Sequence, residues 1–169
     1  LEKAVTDLDL ACSLPAEESA RRLNDQGIRT IDTGLQHGTI MALHEGQSVE
    51  ITAFRTATGQ SCKPTIETDL LARDFTVNAI AFPCSGGDLL DPASGVTDLH
   101  NNLLRALPPA ANRFIEDPLR ILRLVRFGPA EGRRLDPESD QAAREHSALL
   151  EKVAPERIRV ELEKILVSE

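Results

Sequence analysis

Apolar and polar positions alternate along residues 4–14, AVTDLDLACSL, and again through residues 28–43, IRTIDTGLQHGTIMAL, and 48–55, SVEITAFR. A period of two on a half-buried surface predicts strands. The second stretch is broken by Gly34 and Gly38, so it predicts a strand, a turn and a strand, with HEGQ as the hairpin turn into the third stretch. Between the first two stretches, Pro15 precedes AEESARRLNDQ and Gly27 follows it, the proline-in, glycine-out punctuation of a short helix. Residues 56–65, TATGQSCKPT, predict a polar loop.

Beyond that loop the period changes. IETDLLARDFTVNAIAF, residues 66–82, carries apolar residues near three-to-four spacing and predicts a helix. Residues 85–107 are turn-rich with one short strand expected, and PPAANR reads as a boundary. Helices are then expected over about 117–128, 137–151 and 155–168. In the last of these, Ile158, Leu162 and Ile165 form an apolar stripe. The pattern predicts an α+β fold: a mixed portion over residues 1–110, then an all-helical portion over 111–169.

Composition narrows this only a little. The 169 residues are 41% hydrophobic, enough for one sizeable core or one domain and part of a second. No apolar run approaches the ~20 residues of a membrane helix. The N-terminal LEKAVTDLDLACSLP lacks the basic-then-apolar order of a signal peptide, and the absence of a starting Met so near a predicted strand points to a missing beginning. Cys12, Cys62 and Cys84 have no C-x-x-C spacing, which fits a reducing, cytoplasmic setting and argues against a structural zinc. The net charge of −8 argues against a broadly basic nucleic-acid-binding domain. Arg113, Arg120, Arg123, Arg126, Arg133 and Arg134 nevertheless concentrate positive charge against Glu116, Asp117 and Glu131.

Two places carry candidate chemistry. Asp7 and Asp9, two apart on a predicted strand, point the same way about 7 Å apart. Like charges on one face repel unless a cation sits between them. Glu50, inside the apolar VEITAF, is a third carboxylate. Mg²⁺ takes such oxygen ligands in two-metal phosphoryl transfer. An isolated D-x-D is more often a pair of solvent-facing residues on a half-exposed strand, so the spacing alone proves little.

The second place is RFIEDPLRILRLVRF, residues 113–127. Pro118 suits a first helical position and Asp117 its N-cap. Arg120 lies three residues after Asp117 and four after Glu116, within reach of both on one helix face. From these residues alone, a capped helix with a local ion pair of a few tenths of a kcal/mol is sufficient.

Taken in order, TDLDLA, TGLQHGT, VEITAFRT, LLARDFTVNAIAF, LLDPASGVTDL, RFIEDPLRILRLVRF and APERIRVELEKIL closely resemble the class II tRNA nucleotidyltransferase and bacterial poly(A) polymerase family along essentially the whole chain. The resemblance implies a polymerase-β-like head followed by a helical neck, and template-independent addition of C or A to RNA 3′ ends. It implies tRNA or another RNA end, CTP and ATP as partners, and Mg²⁺ held by Asp7 and Asp9 with Glu50 as the third catalytic acid. Arg73 and Asp74 would recognise ribose, Asn78 falls in the same nucleotide-binding motif, and Ala72 stands where a basic residue is usual. Asp117 and Arg120 would read the base edge, Glu116 would orient the arginine, and Arg123 would support the base. Glu156 and Arg157 match a motif tied to the hinge and active site. The family's glycine-rich triphosphate turn upstream of the D-x-D is not present, and the loop between Arg55 and Arg73 is short, as in CC-adding members. A poly(A) polymerase and an inactive RNA-binding relative are the alternative expectations.

Overall fold

The structure is a computed structural model and describes residues 8–35, 38–55 and 64–167. It divides into two compact units, residues 1–69 and 70–169.

The first unit is a four-stranded mixed sheet. β1 (Asp9–Cys12) pairs in parallel with β4 (Gln47–Ala53), which pairs antiparallel with β3 (Thr39–His44), and that with β2 (Arg29–Gly34). The β3–β4 turn carries positive φ at both Glu45 (49°) and Gly46 (80°), the twist a two-residue hairpin requires. α1 (Ala16–Asp25) begins directly after Pro15 and ends before Gly27, as the punctuation predicted. Leu10, Ala42, Val49 and Ile51 project from one sheet face toward Leu23 and Ile28. Alternation therefore sends Asp9 and Glu50 to the opposite face.

After the polar loop the structure departs from the sequence pattern, first in the predicted helix. α2 (Ile66–Leu71) stops eleven residues before the predicted helix end at position 82. Phe75 is extended (φ −126°, ψ 153°) and bridges Ala106, and only a single 3-10 turn, Thr76–Asn78, follows. The reason is local competition. The Asp74 carboxylate accepts from the Phe75 N–H at 3.0 Å, and the backbone at Asp74 and Thr76 bonds to Leu107 and Arg105 instead of closing helical turns. The apolar spacing that suggested a helix reflects core insertion: Phe75 is fully buried among Leu104, Ala106, Phe114, Ile121 and Leu124.

α3 (Gly95–His100) and β5 (Leu103–Leu104) come from the turn-rich stretch, where one strand and no helix was expected. α4 (Ala110–Glu116) and α5 (Leu119–Phe127) follow, then β6 (Arg134–Leu135), which pairs in parallel with β5 and interrupts the expected all-helical run. α6 (Pro137–Glu145) is capped by the Asp136 carboxylate, which accepts from the Ser139 N–H, and α7 (Pro155–Val167) closes the described chain. The unit's core joins Phe75, Leu104 and Ala106 to α4, α5 and α6. Shared burial explains why compactness divides the chain near residue 70, ahead of the compositional shift near 110.

One polar hub ties these pieces together. Arg105 donates to Asp98 at 3.1 Å and to Asp136 at 2.8 Å, and Asp98 also accepts from the Thr76 hydroxyl at 2.7 Å. The hydrogen bond to Asp98 raises the Arg105 pKa above its ordinary value, with Asp136 adding to it. Gly95 packs so closely on the Thr76 carbonyl that an added Cβ would lie far inside van der Waals contact. Thus α3 presses directly on the Asp74–Asn78 segment.

Candidate nucleotide site

The sheet unit presents acid. Asp9 and Glu50 are register partners on neighbouring strands, about 4.8 Å apart. Both residues are exposed, and among the described residues neither carboxylate has an ion-pair or hydrogen-bond partner. Two unneutralised oxygen-donor groups side by side fit a hard divalent cation. Asp7 lies outside the described residues, as do residues 56–63 of the short loop. Among the described residues no three metal-ligating side chains cluster.

The helical unit holds its acids differently. Pro118 already has helical angles (φ −61°, ψ −20°), so helical geometry starts at the expected position, one residue ahead of the hydrogen-bonded span of α5. Asp117 is extended (φ −145°, ψ 99°), and its Oδ1 accepts from the Leu119 N–H at 3.2 Å. The Asp117 carboxylate's ionic partner is Arg157 of α7, Nη2 to Oδ2 at 2.9 Å. Arg120 pairs with Glu116 at 3.0 Å and donates to the Arg113 and Ala72 carbonyls at 3.3 and 3.4 Å. The second Glu116 oxygen binds Arg113 at 2.9 Å. Helical spacing permitted either carboxylate as the Arg120 partner. The turn at Pro118 directs Asp117 away and leaves Glu116.

Arg123, one turn further on, donates from Nε to Asp74 at 2.7 Å. The same carboxylate also accepts from the Asn78 side-chain amide at 2.9 Å. Asp74 is nearly buried, and these bonds with the Phe75 N–H occupy both its oxygens. It acts here as an anchor for Arg123 and Asn78. Arg73 donates to the Asn78 carbonyl at 3.4 Å. Arg123 and Arg126 both lie over the Phe127 ring, 5.1 and 3.8 Å from its centroid. Arg126 also pairs with the buried Glu161 of α7, a structural tie.

The structure thus brings Asp74, Asn78 and Arg123 together, and Glu116 with Arg120. It places Asp117 at the head of the same helix. It adds Arg113, whose role the sequence did not signal. It also gives Arg157 a contact forty positions away from its own. Arg113 and Glu116 are only three positions apart, whereas periodicity reports near neighbours alone and could not reach the Arg157 contact.

The comparisons with known proteins accord with this geometry. Residues 1–105 match the family described as "Poly A polymerase head domain", and residues 133–169 match "Probable RNA and SrmB- binding site of polymerase A". The CCA-adding enzyme of Lactiplantibacillus plantarum is 39% identical over 179 residues, covering 100% of this chain and 42% of its own length. The Bacillus stearothermophilus CCA-adding enzyme in complex with CTP superposes with a TM-score of 0.88 at 35% identity, over 97% of this chain and 40% of that one. A tRNA nucleotidyltransferase complexed with a primer tRNA and an incoming ATP analog gives 0.81 at 27% identity, over 98% and 51%. The chain therefore spans under half the length of the curated relative described here. No described helix is long and apolar enough to cross a membrane. With its α+β head-type fold and both family matches, the chain belongs to the class II CCA-adding enzyme and poly(A) polymerase family.

Proposed function

We propose that the protein containing this chain is a template-independent RNA nucleotidyltransferase that adds C, A or both to tRNA 3′ ends. The observation that carries this reading is the head of α5. There an Asp117 carboxylate and an Arg120 guanidinium, both secured by other residues, stand three positions apart.

A carboxylate only accepts hydrogen bonds and a guanidinium only donates them. Cytosine and adenine each offer an amino donor beside an unprotonated ring nitrogen. Guanine and uracil offer a carbonyl beside a ring N–H. Asp117 and Arg120 therefore suit C and A and leave unmatched groups against G and U. Each good bidentate contact carries about 1–3 kcal/mol of discrimination. Arg120 uses three N–H groups internally and retains two of its five for a base. Arg123, steadied by Asp74 and Phe127, is assigned to support the base or ribose, with Arg73 and Asn78 beside it.

In the reaction, the RNA 3′-hydroxyl oxygen bonds to the α-phosphorus of the nucleotide. The bond from that phosphorus to the bridging oxygen breaks, pyrophosphate leaves, and the hydroxyl proton passes to water. Asp9 and Glu50, with Asp7, would hold Mg²⁺. Bound there, the metal supplies a more acidic hydroxyl and neutralises charge on the triphosphate. The chain's own contribution is oxygen ligands on a sheet and a base-reading pair at the head of a helix.

The test is incorporation by the full-length protein with each nucleotide on tRNAs truncated before the first C, after the second C, and on an unrelated RNA. Ordered C and A addition to tRNA alone is expected. Repeated A addition to the unrelated RNA points instead to a poly(A) polymerase. Equal use of G or U contradicts the reading of Asp117 and Arg120.

A further inference from the structure

We propose that the sheet face carrying Asp9 and Glu50 also seats the last nucleotide of the RNA being extended, with its base on Met41 and Ile31 and its phosphate on Arg29. This inference rests on the metal-binding role of Asp9 and Glu50. Register puts the side chains together. Glu50 opposes Met41, Met41 opposes Ile31, and Leu43 opposes Arg29. Directly opposed residues share a face, and residues one apart on a strand point to opposite faces. Two hydrogen bonds agree with that assignment. The Thr39 and Thr52 hydroxyls meet at 3.1 Å on the Glu50 side. Thr30, between Arg29 and Ile31, accepts from the Asn24 side chain of α1 at 2.9 Å on the other. Outward from Glu50, Met41 lies about 5 Å away and Ile31 about 10 Å, with Arg29 about 7 Å along β2 from Ile31.

These groups are open to a ligand. Ile31 is 39% exposed, and Met41 beside it is half-buried. In the same unit Arg21, Arg22 and Arg55 each meet an acid. Arg29 is exposed, and among the described residues its guanidinium has no ion-pair or hydrogen-bond partner. In a chain of net charge −8, a cation left over in this way suits an anion from outside. The reacting hydroxyl belongs to the last ribose of the RNA and must lie at the metal. The base and phosphate of that nucleotide therefore fall close to Glu50. The incoming base is assigned to Asp117 and Arg120, which leaves this part of the sheet to the RNA. A nucleobase presents an apolar face that Ile31 and the polarizable Met41 thioether can cover. A guanidinium on a phosphate fixes position without reading sequence. Both contacts tolerate any base, as they must when the last base changes with each addition.

Arg29→Ala and Ile31→Ala change exposed positions and spare the core. In the full-length protein, each is expected to raise the KM for a tRNA lacking its CCA end about five- to tenfold, with the KM for CTP changed less than about twofold. Affinity for the same tRNA without nucleotide, read by fluorescence anisotropy over a range of salt, should fall by a like factor. The slope of log affinity against log salt should become shallower by about 0.7 in Arg29→Ala and stay unchanged in Ile31→Ala. Arg29→Lys keeps the parent slope, because the charge is retained. An unchanged tRNA KM in either alanine variant overturns the inference, and so does an equal rise in the KM for CTP. If Ile31→Ala leaves tRNA affinity intact and lowers the sedimenting mass, the patch is a contact between copies of the chain and the inference fails. Asp9→Ala separates the two levels. If incorporation survives it, the metal role fails and takes this inference with it. If incorporation is lost while Arg29→Ala and Ile31→Ala leave the tRNA KM unchanged, the metal role stands and the RNA seat fails.

Discussion

The candidate-site acids of the two units are held in opposite ways. On the sheet, Asp9 and Glu50 stand side by side, exposed, with no cationic side chain among the described residues to neutralise them. In the helical unit, Asp74, Asp98, Glu116, Asp117 and Asp136 each bind an arginine. A carboxylate left unpaired beside another is a stability liability that a cation relieves. A carboxylate paired internally is part of the framework. The first arrangement suits a ligand that comes and goes, and the second suits fixed geometry.

This contrast gives opposite signatures in activity and stability. The largest effect expected is on turnover. Asp9→Ala or Glu50→Ala should reduce nucleotide incorporation by at least about a thousandfold, since several kcal/mol of charge stabilisation is lost. The thermal midpoint should stay level or rise slightly as repulsion is relieved. Asp98→Ala should do the reverse. It removes one of the two carboxylates that hold Arg105 and the acceptor of the buried Thr76 hydroxyl, so denaturant titration should show a loss of about 2–3 kcal/mol. Gly95→Ala, forcing a methyl onto the Thr76 carbonyl, should cost about 1–3 kcal/mol by the same measurement. Mg²⁺ should raise the midpoint of the unaltered protein by mass action and leave Asp9→Ala unmoved. The smallest effect belongs to Glu18→Gln on exposed α1, whose pairs with Arg22 and Arg21 hold the Glu18 pKa below its ordinary value. Because the folded-state pKa is depressed, any stabilisation is present above the unfolded value and fades as pH falls through the folded one. Urea midpoints compared at neutral and strongly acidic pH should differ from the parent's only at neutral pH, and only slightly.

Legibility from the sequence followed the range of the interactions. The strands, the HEGQ hairpin and α1 were readable because alternation, glycine and proline act within a few residues. The Asp117–Pro118 helix start was readable for the same reason. Residues 72–82 were misread as helix because Leu71, Phe75, Ala79 and Phe82 fall at helical spacing. What holds them extended or turned is bonding to residues 105–107, which no local pattern reports. α3 was missed because a helix of six residues in a glycine- and aspartate-rich stretch gives almost no periodic signal. Of the candidate site, the individual residues and the near pair Glu116–Arg120 were visible, and the distant pairings were not. Arg123 with Asp74 spans 49 positions, and Arg157 with Asp117 spans 40. Only the folded core decides which arginine meets which acid.

The central claim is that Asp117 and Arg120 take the place of a template base. The most direct measurement is the kcat/KM of all four nucleotides on a tRNA lacking its terminal CCA, for the full-length protein and for Asp117→Ala/Arg120→Ala. The account predicts that the parent favours CTP over UTP and GTP by at least about a hundredfold, and that the double variant brings them within about tenfold. A double variant that keeps the parent's discrimination would contradict it.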